Sequence, residues 1–459
     1  MRYLLLCLLV QFTCIFAIGQ TVPLGNLLYH WKDSSLVSST IHDNTYNEVW
    51  GIVHEGREYA IIGSTYGTHF IDVTDPKNSV EIQRIPGGTI GREVIHRDYH
   101  DYNGYLYAVC DEGSESTLQI IDFTTLPDSV HVVYDSKQYI RRAHNIFIDE
   151  DNAKLYAMFT AGDQASFSPI RIFDLSDPID PQPLAAYSSI DGVTLASGTH
   201  DGFFKDNIGY LNNGFRGLAI VDFTNPLEAK IVASLAPADY PQPGYNHSGW
   251  LSEDGDYYYM ADENHGHDMK IIDVSNLPDV RVEGVFNAES TSNFSIPHNQ
   301  VVAGDYLYVS YYFDGLQVYD ISDPKLPVRK MHFPTASRTH QNGVYQGAWG
   351  VYPFFPSGNI LVSDMQEGLF VIENIDLLSS NENIKDKLLD VQVFPNPASS
   401  YFEINRRIGD DERVILFDSN GKIVQEWKPS DQYHLNNDIS TGSYFLSVGN
   451  YRGVLTIIR

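Results

Sequence analysis

The sequence predicts an all-β chain: a seven-bladed β-propeller closed by an N-terminal strand, followed by a small C-terminal β-sandwich. The first observation behind this is a motif of the form Leu-x-Ile-x-Asp-hydrophobic-Ser/Thr, often ending in Asp/Asn-Pro, that recurs with acidic positions at Asp72, Asp122, Asp174, Asp222, Asp273, Asp320 and Glu373. Successive members lie 50, 52, 48, 51, 47 and 53 residues apart, so the chain is built from units of about fifty residues. The second is composition. Among 459 residues, 30 Tyr, 23 Phe, 35 Gly and 22 Pro stand against 6 Met, which favours strands and turns over helices. The third is that the repeat stops after Asn374 and a different pattern begins.

At the N-terminus, Arg2, an apolar run to Ile18, and the small residues Ala17 and Gly19 before Gln20 predict a signal peptide over residues 1–19. A membrane anchor is the alternative, but the stretch is short and broken by Gln11 and Thr13. Cys7 and Cys14 lack the preceding Leu-Ala-Gly type of sequence that lipid attachment needs, so a soluble mature chain from about Gln20 is expected. Its one remaining cysteine, Cys110, has no internal disulfide partner, and stability must come from packing or ring closure. No other segment is long and apolar enough to span a bilayer.

Residues 20–376 hold the repeats. Each unit pairs its motif with an upstream apolar strand, as in Leu106-Tyr-Ala-Val, Leu155-Tyr-Ala-Met and Leu307-Tyr-Val-Ser. A shorter strand precedes that one (Asn145-Ile-Phe-Ile), and a fourth follows the turn (Ser79-Val-Glu-Ile, Ala229-Lys-Ile-Val). Four short strands divided by Gly, Asn, Asp and Pro describe a propeller blade. A solenoid of equal period needs caps, whereas a ring removes most open edges. The seventh unit has no fourth strand after Glu373, but Asn26-Leu-Leu-Tyr-His-Trp31 resembles one and is expected to complete it. The repeated acid is read as a turn-former that accepts backbone N–H groups, not as a catalytic or metal-binding set.

Residues 377–387 read as a polar linker and 388–459 as a separate sandwich of alternating apolar strands. This last segment closely resembles the C-terminal type A sorting domain of the bacterial type IX secretion system. The resemblance rests on Phe394-Pro395-Asn396-Pro397, the Asp418-x-x-Gly421-Lys422 turn, Thr441-Gly442-x-Tyr444, and the basic Arg459. It implies handling by the type IX machinery and its C-terminal signal peptidase, with delivery to the outer-membrane surface or the medium.

The blades resemble the choice-of-anchor B family of LVIVD-type repeat propellers, through Asn47-Glu-Val-Trp-Gly51, Gly67-Thr-His-Phe-Ile-Asp-Val-Thr-Asp-Pro76, His247-Ser-Gly-Trp-Leu-Ser-Glu-Asp254 and Gly347-Ala-Trp-Gly-Val-Tyr-Pro353. His96 stands where that family usually has Trp, and Ser116-Thr117 where a His-Gly pair is common. The resemblance implies export and surface display and assigns no activity.

A net charge of −29, with no basic run longer than Arg141-Arg142 or Arg406-Arg407, excludes a nucleic-acid partner and disfavours an anionic membrane surface. Chemistry is expected where the innermost strands begin, since equivalent positions in a ring converge on its axis. These positions are Asn47, Glu48, Arg97, Asp98, His144, Asn145, His200, Asp201, His247, Ser248, His298, Asn299 and Trp349. His144, His200, His247 and His298, with Asp262 and Glu263 from the acidic loop Asp262–Asp268, are candidate ligands for a divalent metal. The alternative is a polar plug that hydrogen-bonds between blades. No Gly-x-Ser-x-Gly, phosphate loop, His-Glu-x-x-His or paired-Cys motif is present. Two functions therefore stand: a binding module for an extracellular glycan, peptide or protein, and an extracellular hydrolase or lyase with a metal or acid-base group at the channel mouth.

Overall fold

In the computed structural model the described residues are 22–195, 198–374, 393–404, 413–417, 423–430, 432–448 and 451–458. The expected signal peptide, the linker, and the tail residues Asp418, Gly421, Lys422 and Arg459 lie outside them. The repeats form seven four-stranded antiparallel sheets. Six are consecutive in sequence, and the seventh combines Ala348–Tyr352, Ile360–Asp364 and Gly368–Glu373 with Asn26–Trp31 from the start of the chain. The closing register runs from Asn26 opposite Glu373 to Trp31 opposite Leu369.

The sequence explains each blade. The glycine that opens the third strand in four units recurs because the outer strand passes against it: a Cβ on Gly67, Gly217, Gly315 or Gly368 would sit 2.0 to 2.3 Å from a carbonyl oxygen of that strand. Third and fourth strands then pair through a bulge at one equivalent place, for example Phe70/Ile71, Ile120/Ile121, Ile220/Val221 and Val318/Tyr319, which adds local twist. After each third strand the repeated aspartate accepts the backbone N–H two residues on. Asp72 takes that of Thr74 (3.0 Å), Asp174 that of Ser176 (2.7 Å), Asp222 that of Thr224 (2.8 Å) and Asp320 that of Ser322 (3.0 Å). Glu373, with no turn to form, instead accepts the Asn26 side chain at 2.8 Å.

Blades pack face to face over apolar clusters, one for each neighbouring pair. Between the first two, Ile52, Tyr59, Ile61 and Phe70 meet Tyr99, Leu106, Ile121 and Phe123. Between the last and the first, Tyr352, Leu361 and Val371 meet Val49, Ile62 and Ile71. Tyrosines add hydrogen bonds across these joints, with Tyr107 donating to the Pro178 carbonyl (2.5 Å), Tyr187 to that of Pro226 (2.5 Å) and Tyr259 to that of Pro324 (3.2 Å). Cys110 is buried and free. Burial raises its thiol pKa, which makes it an inert core residue.

The C-terminal segment forms a three-stranded and a four-stranded sheet around Phe402, Leu416, Tyr433, Leu446 and Leu455. Pro395, Asn396 and Pro397 follow its first strand, and the Asn396 side chain accepts the Thr456 N–H at 2.8 Å. Gly442 opens the strand Gly442–Val448, and the Tyr444 hydroxyl donates to the Ser440 carbonyl at 2.9 Å.

Candidate functional site at the channel mouth

The innermost strand of each blade is its first, and alternation along a strand sends every second side chain to the same face. Three layers stacked along the axis follow from this. The deepest is a closed aromatic ring: Trp50 to His100 (4.7 Å between centroids), Phe147 (5.2 Å), Phe203 (5.4 Å), Trp250 (4.9 Å), Phe354 (6.3 Å), Tyr352 (5.4 Å) and back to Trp50 (5.3 Å). It floors the channel.

Two residues earlier on those strands stand Glu48, Asp98, Asn145, Asp201, Ser248 and Gly350. Gly350 leaves the space that Glu48 occupies, since a Cβ there would meet Glu48 Oε1 at 1.8 Å. Three carboxyls share this enclosed layer. Burial pushes Glu48 up to about 8, against hydrogen bonds from the Val49 N–H and the Asn299 amide that favour its charge. Burial likewise lifts Asp201 to about 7, and it holds Asp98 well above the usual carboxylate range with help from Glu48 and Asp201.

The uppermost layer is a ring of five histidines and one tryptophan. Centroids step from His96 to His144 (4.3 Å), His200 (4.0 Å), His247 (4.2 Å), His298 (4.5 Å) and Trp349 (4.1 Å), and Trp349 returns to His96 at 5.5 Å. Several rings are held through Nδ1: His200 donates to the His247 carbonyl (3.2 Å) and His298 to that of Trp349 (2.5 Å). A carbonyl only accepts, so both imidazoles keep a lone pair on Nε2. His96 Nδ1, His247 Nδ1 and Trp349 Nε1 are buried without a hydrogen-bond partner. Burial, reinforced by the neighbouring imidazoles, keeps His96 and His247 well below the ordinary histidine range. It also brings His298 down to about 3. His144 differs. Burial lowers it too, but the Asp111 carboxylate 2.8 Å from Nδ1 reverses the sign and raises it.

Loops after the second strands rim this ring, because the first and second strands are antiparallel and the end of one lies beside the start of the other. Glu263 stands 3.8 Å from His247 Nε2 through Oε2, while its Oε1 accepts the Tyr312 hydroxyl at 2.5 Å. Among the described residues, His247, Glu263 and His298 form a set whose ligand atoms all lie within 4.8 Å of one another. Phe215, Tyr245, Tyr345 and His265 continue the rim outward, with Phe215 edge-on to Tyr245 at 5.1 Å and His265 5.5 Å from Tyr345.

Three expected site residues stand elsewhere. Arg97 is folded between the first two blades and donates to the carbonyls of Ser64 (2.8 Å) and Thr89 (2.7 Å), so His96, one residue earlier, takes the ring position. Asp262 is fully buried in an ion pair with Lys270 (2.9 Å) and accepts the Gly244 N–H, so it faces its own blade. Asn47 joins the first blade to the second, donating to the Ile95 carbonyl at 3.2 Å. Sequence reasoning missed His96, Asp111 and Tyr312. The signal for the last two was the hairpin pairing, which sets residues just after a second strand beside those just before a first.

Compared with known families, residues 244–285 and 299–335 match the LVIVD repeat, and residues 392–457 match the secretion system C-terminal sorting domain. The chain carries LVIVD repeats and a C-terminal sorting domain. The sorting domain marks the LVIVD propeller for type IX secretion to the cell surface or extracellular space. Among the described residues no helix is long and apolar enough to cross a membrane. A comparison with curated protein sequences finds no match. The crystal structure of the RRP9 WD40 repeats superposes with a TM-score of 0.51 at 8% identity, covering 77% of this chain and 99% of that one. The β-propeller domain of Myceliophteria thermophila Cps50 (Swd1) gives 0.49 at 12%, covering 76% and 98%. At 8% identity the likeness to the RRP9 repeats is one of fold alone.

Proposed function

We propose that the LVIVD propeller is a surface-displayed or secreted binding module that takes an extracellular glycan, peptide or protein at its channel mouth. The observation that supports this reading is the histidine and tryptophan ring itself. A plug that only joined blades would spend its polar atoms on the neighbouring backbone, whereas His96, His247 and Trp349 keep buried nitrogens unpaired within the ring. Aromatic rim residues such as Phe215 and Tyr245 add the flat apolar faces that sugars and peptide side chains stack on. The choice-of-anchor B resemblance of the blades agrees with display outside the cell, and the tail's partners are then the type IX machinery and its C-terminal signal peptidase.

Probing glycan and peptide arrays with the purified protein tests the reading. Binding that falls at least tenfold in His200→Ala, with an unchanged melting temperature, supports it; undiminished binding removes the mouth as the site. The hydrolase or lyase reading is favoured by one contact, the 3.8 Å approach of His247 and Glu263 at the same mouth. Turnover of an array ligand would select it.

A further inference from the structure

We propose that His247, Glu263 and His298 bind one divalent first-row transition ion of the Zn²⁺ class at the channel mouth. The inference deepens the reading of the mouth as a binding centre, on which it rests, by naming the ion that would present the ligand.

The donor set is two imidazoles and a carboxylate, all borderline to hard ligands suited to Zn²⁺, Ni²⁺ and Cu²⁺. All three are placed by strands of the propeller. His247 belongs to Asn246–Leu251, Glu263 directly follows Tyr257–Asp262 of the same sheet, and His298 precedes Gln300–Ala303 of the next blade. Their ligand atoms lie within 4.8 Å of one another, and His247 Nε2 to Glu263 Oε2 is already 3.8 Å. Metal–ligand bonds of about 2.0 Å put tetrahedral ligand atoms roughly 3.3 Å apart, a contraction that small side-chain torsions supply.

The surroundings do what outer residues of a metal site do. The Trp349 carbonyl holds His298 Nδ1–H and turns the Nε2 lone pair free. The Tyr312 hydroxyl holds one Glu263 oxygen and leaves the other toward His247. His247 itself is 4% exposed, and its Nε2 faces the Glu263 carboxylate. Three protein ligands leave open positions for a fourth donor from a glycan hydroxyl or a peptide carboxylate.

Calorimetric titration of the purified, EDTA-treated and dialysed protein with ZnCl₂ tests this. A single saturable event at one Zn²⁺ per chain is expected, weakened at least tenfold by Glu263→Gln and by His298→Ala. Glu263→Gln retains side-chain size and an acceptor for Tyr312, so its fold, checked by thermal melt, is expected to survive. Co²⁺ in place of Zn²⁺ should give intense visible d–d bands in the parent and lose them in Glu263→Gln. Absence of saturable binding, or binding unchanged in both variants, overturns the inference. An array ligand captured equally with and without Zn²⁺ leaves the binding module intact and removes the metal from it. Stoichiometric Zn²⁺ lost in the variants, with no array ligand captured, sustains the metal site and counts against the binding reading.

Discussion

Asn26 donates to the Glu373 carboxylate at 2.8 Å across 347 residues of sequence, and the strand it begins completes the seventh blade. Ring closure thus depends on Asn26–Trp31, whose Trp31 packs on Tyr46 (5.7 Å) and His69 (4.9 Å) of the first blade. Trp31→Ala is expected to cost about 2 kcal/mol, since the ring is half-buried and leaves a cavity in the closing joint. Chemical denaturation measures it. A loss under about 0.5 kcal/mol, the scale of ordinary surface changes, would mean that the closing strand adds little.

Glu48 and Asp201 give the folded state a pH signature. Their folded pKa values, about 8 and about 7, lie above the ordinary 4.5 and 3.8, so the stability they contribute is complete at low pH and is lost as pH rises through the folded values. The buried neutral histidines act oppositely: their contribution is present above the ordinary 6.5 and lost as pH falls below it. Between pH 6.5 and pH 8 the carboxyls therefore dominate, and melting temperature should fall with rising pH. Glu48→Gln should flatten that slope. A slope unchanged by the substitution would remove Glu48 as its source.

Lys270 and Asp262 are each fully buried, their charges 2.9 Å apart. Lys270→Met strands the carboxylate and should cost about 3 to 5 kcal/mol, while Lys270→Met with Asp262→Asn should recover most of it. Urea melts of the two variants and the parent decide this. Equal losses in both would show that the pair is not coupled.

Asp222 shows what the repeat encodes. Asp222→Ala removes the acceptor for the Thr224 N–H and should cost about 1 kcal/mol, whereas Asp222→Asn keeps an acceptor and should cost less. The same comparison at Asp174 or Asp320 is expected to give the same order, by thermal melts.

The ring was legible in the sequence because the Asp-turn motif is local chemistry repeated six times, and because the missing fourth strand after Glu373 had a match in Asn26–Trp31. His144, His200, His247 and His298 were legible for the same reason, as residues in register before the first strand of a blade. Arg97 misled because the second blade has one more residue between its ring position and its buried acid: His96 and Asp98 flank an arginine that turns back between blades. Asp262 misled because a run of acids in a loop does not reveal which one a buried lysine captures. Asp111 and Tyr312 reach the mouth only through tertiary pairing, which a motif search does not see.

Anomalous diffraction at the zinc edge, from crystals of the protein grown with ZnCl₂, shows whether the channel mouth holds a metal ion. One strong peak is expected inside the channel mouth, about 2 Å from ligand atoms of His247, Glu263 and His298. Zinc found only on the outer surface, with the mouth free of anomalous density, would contradict it.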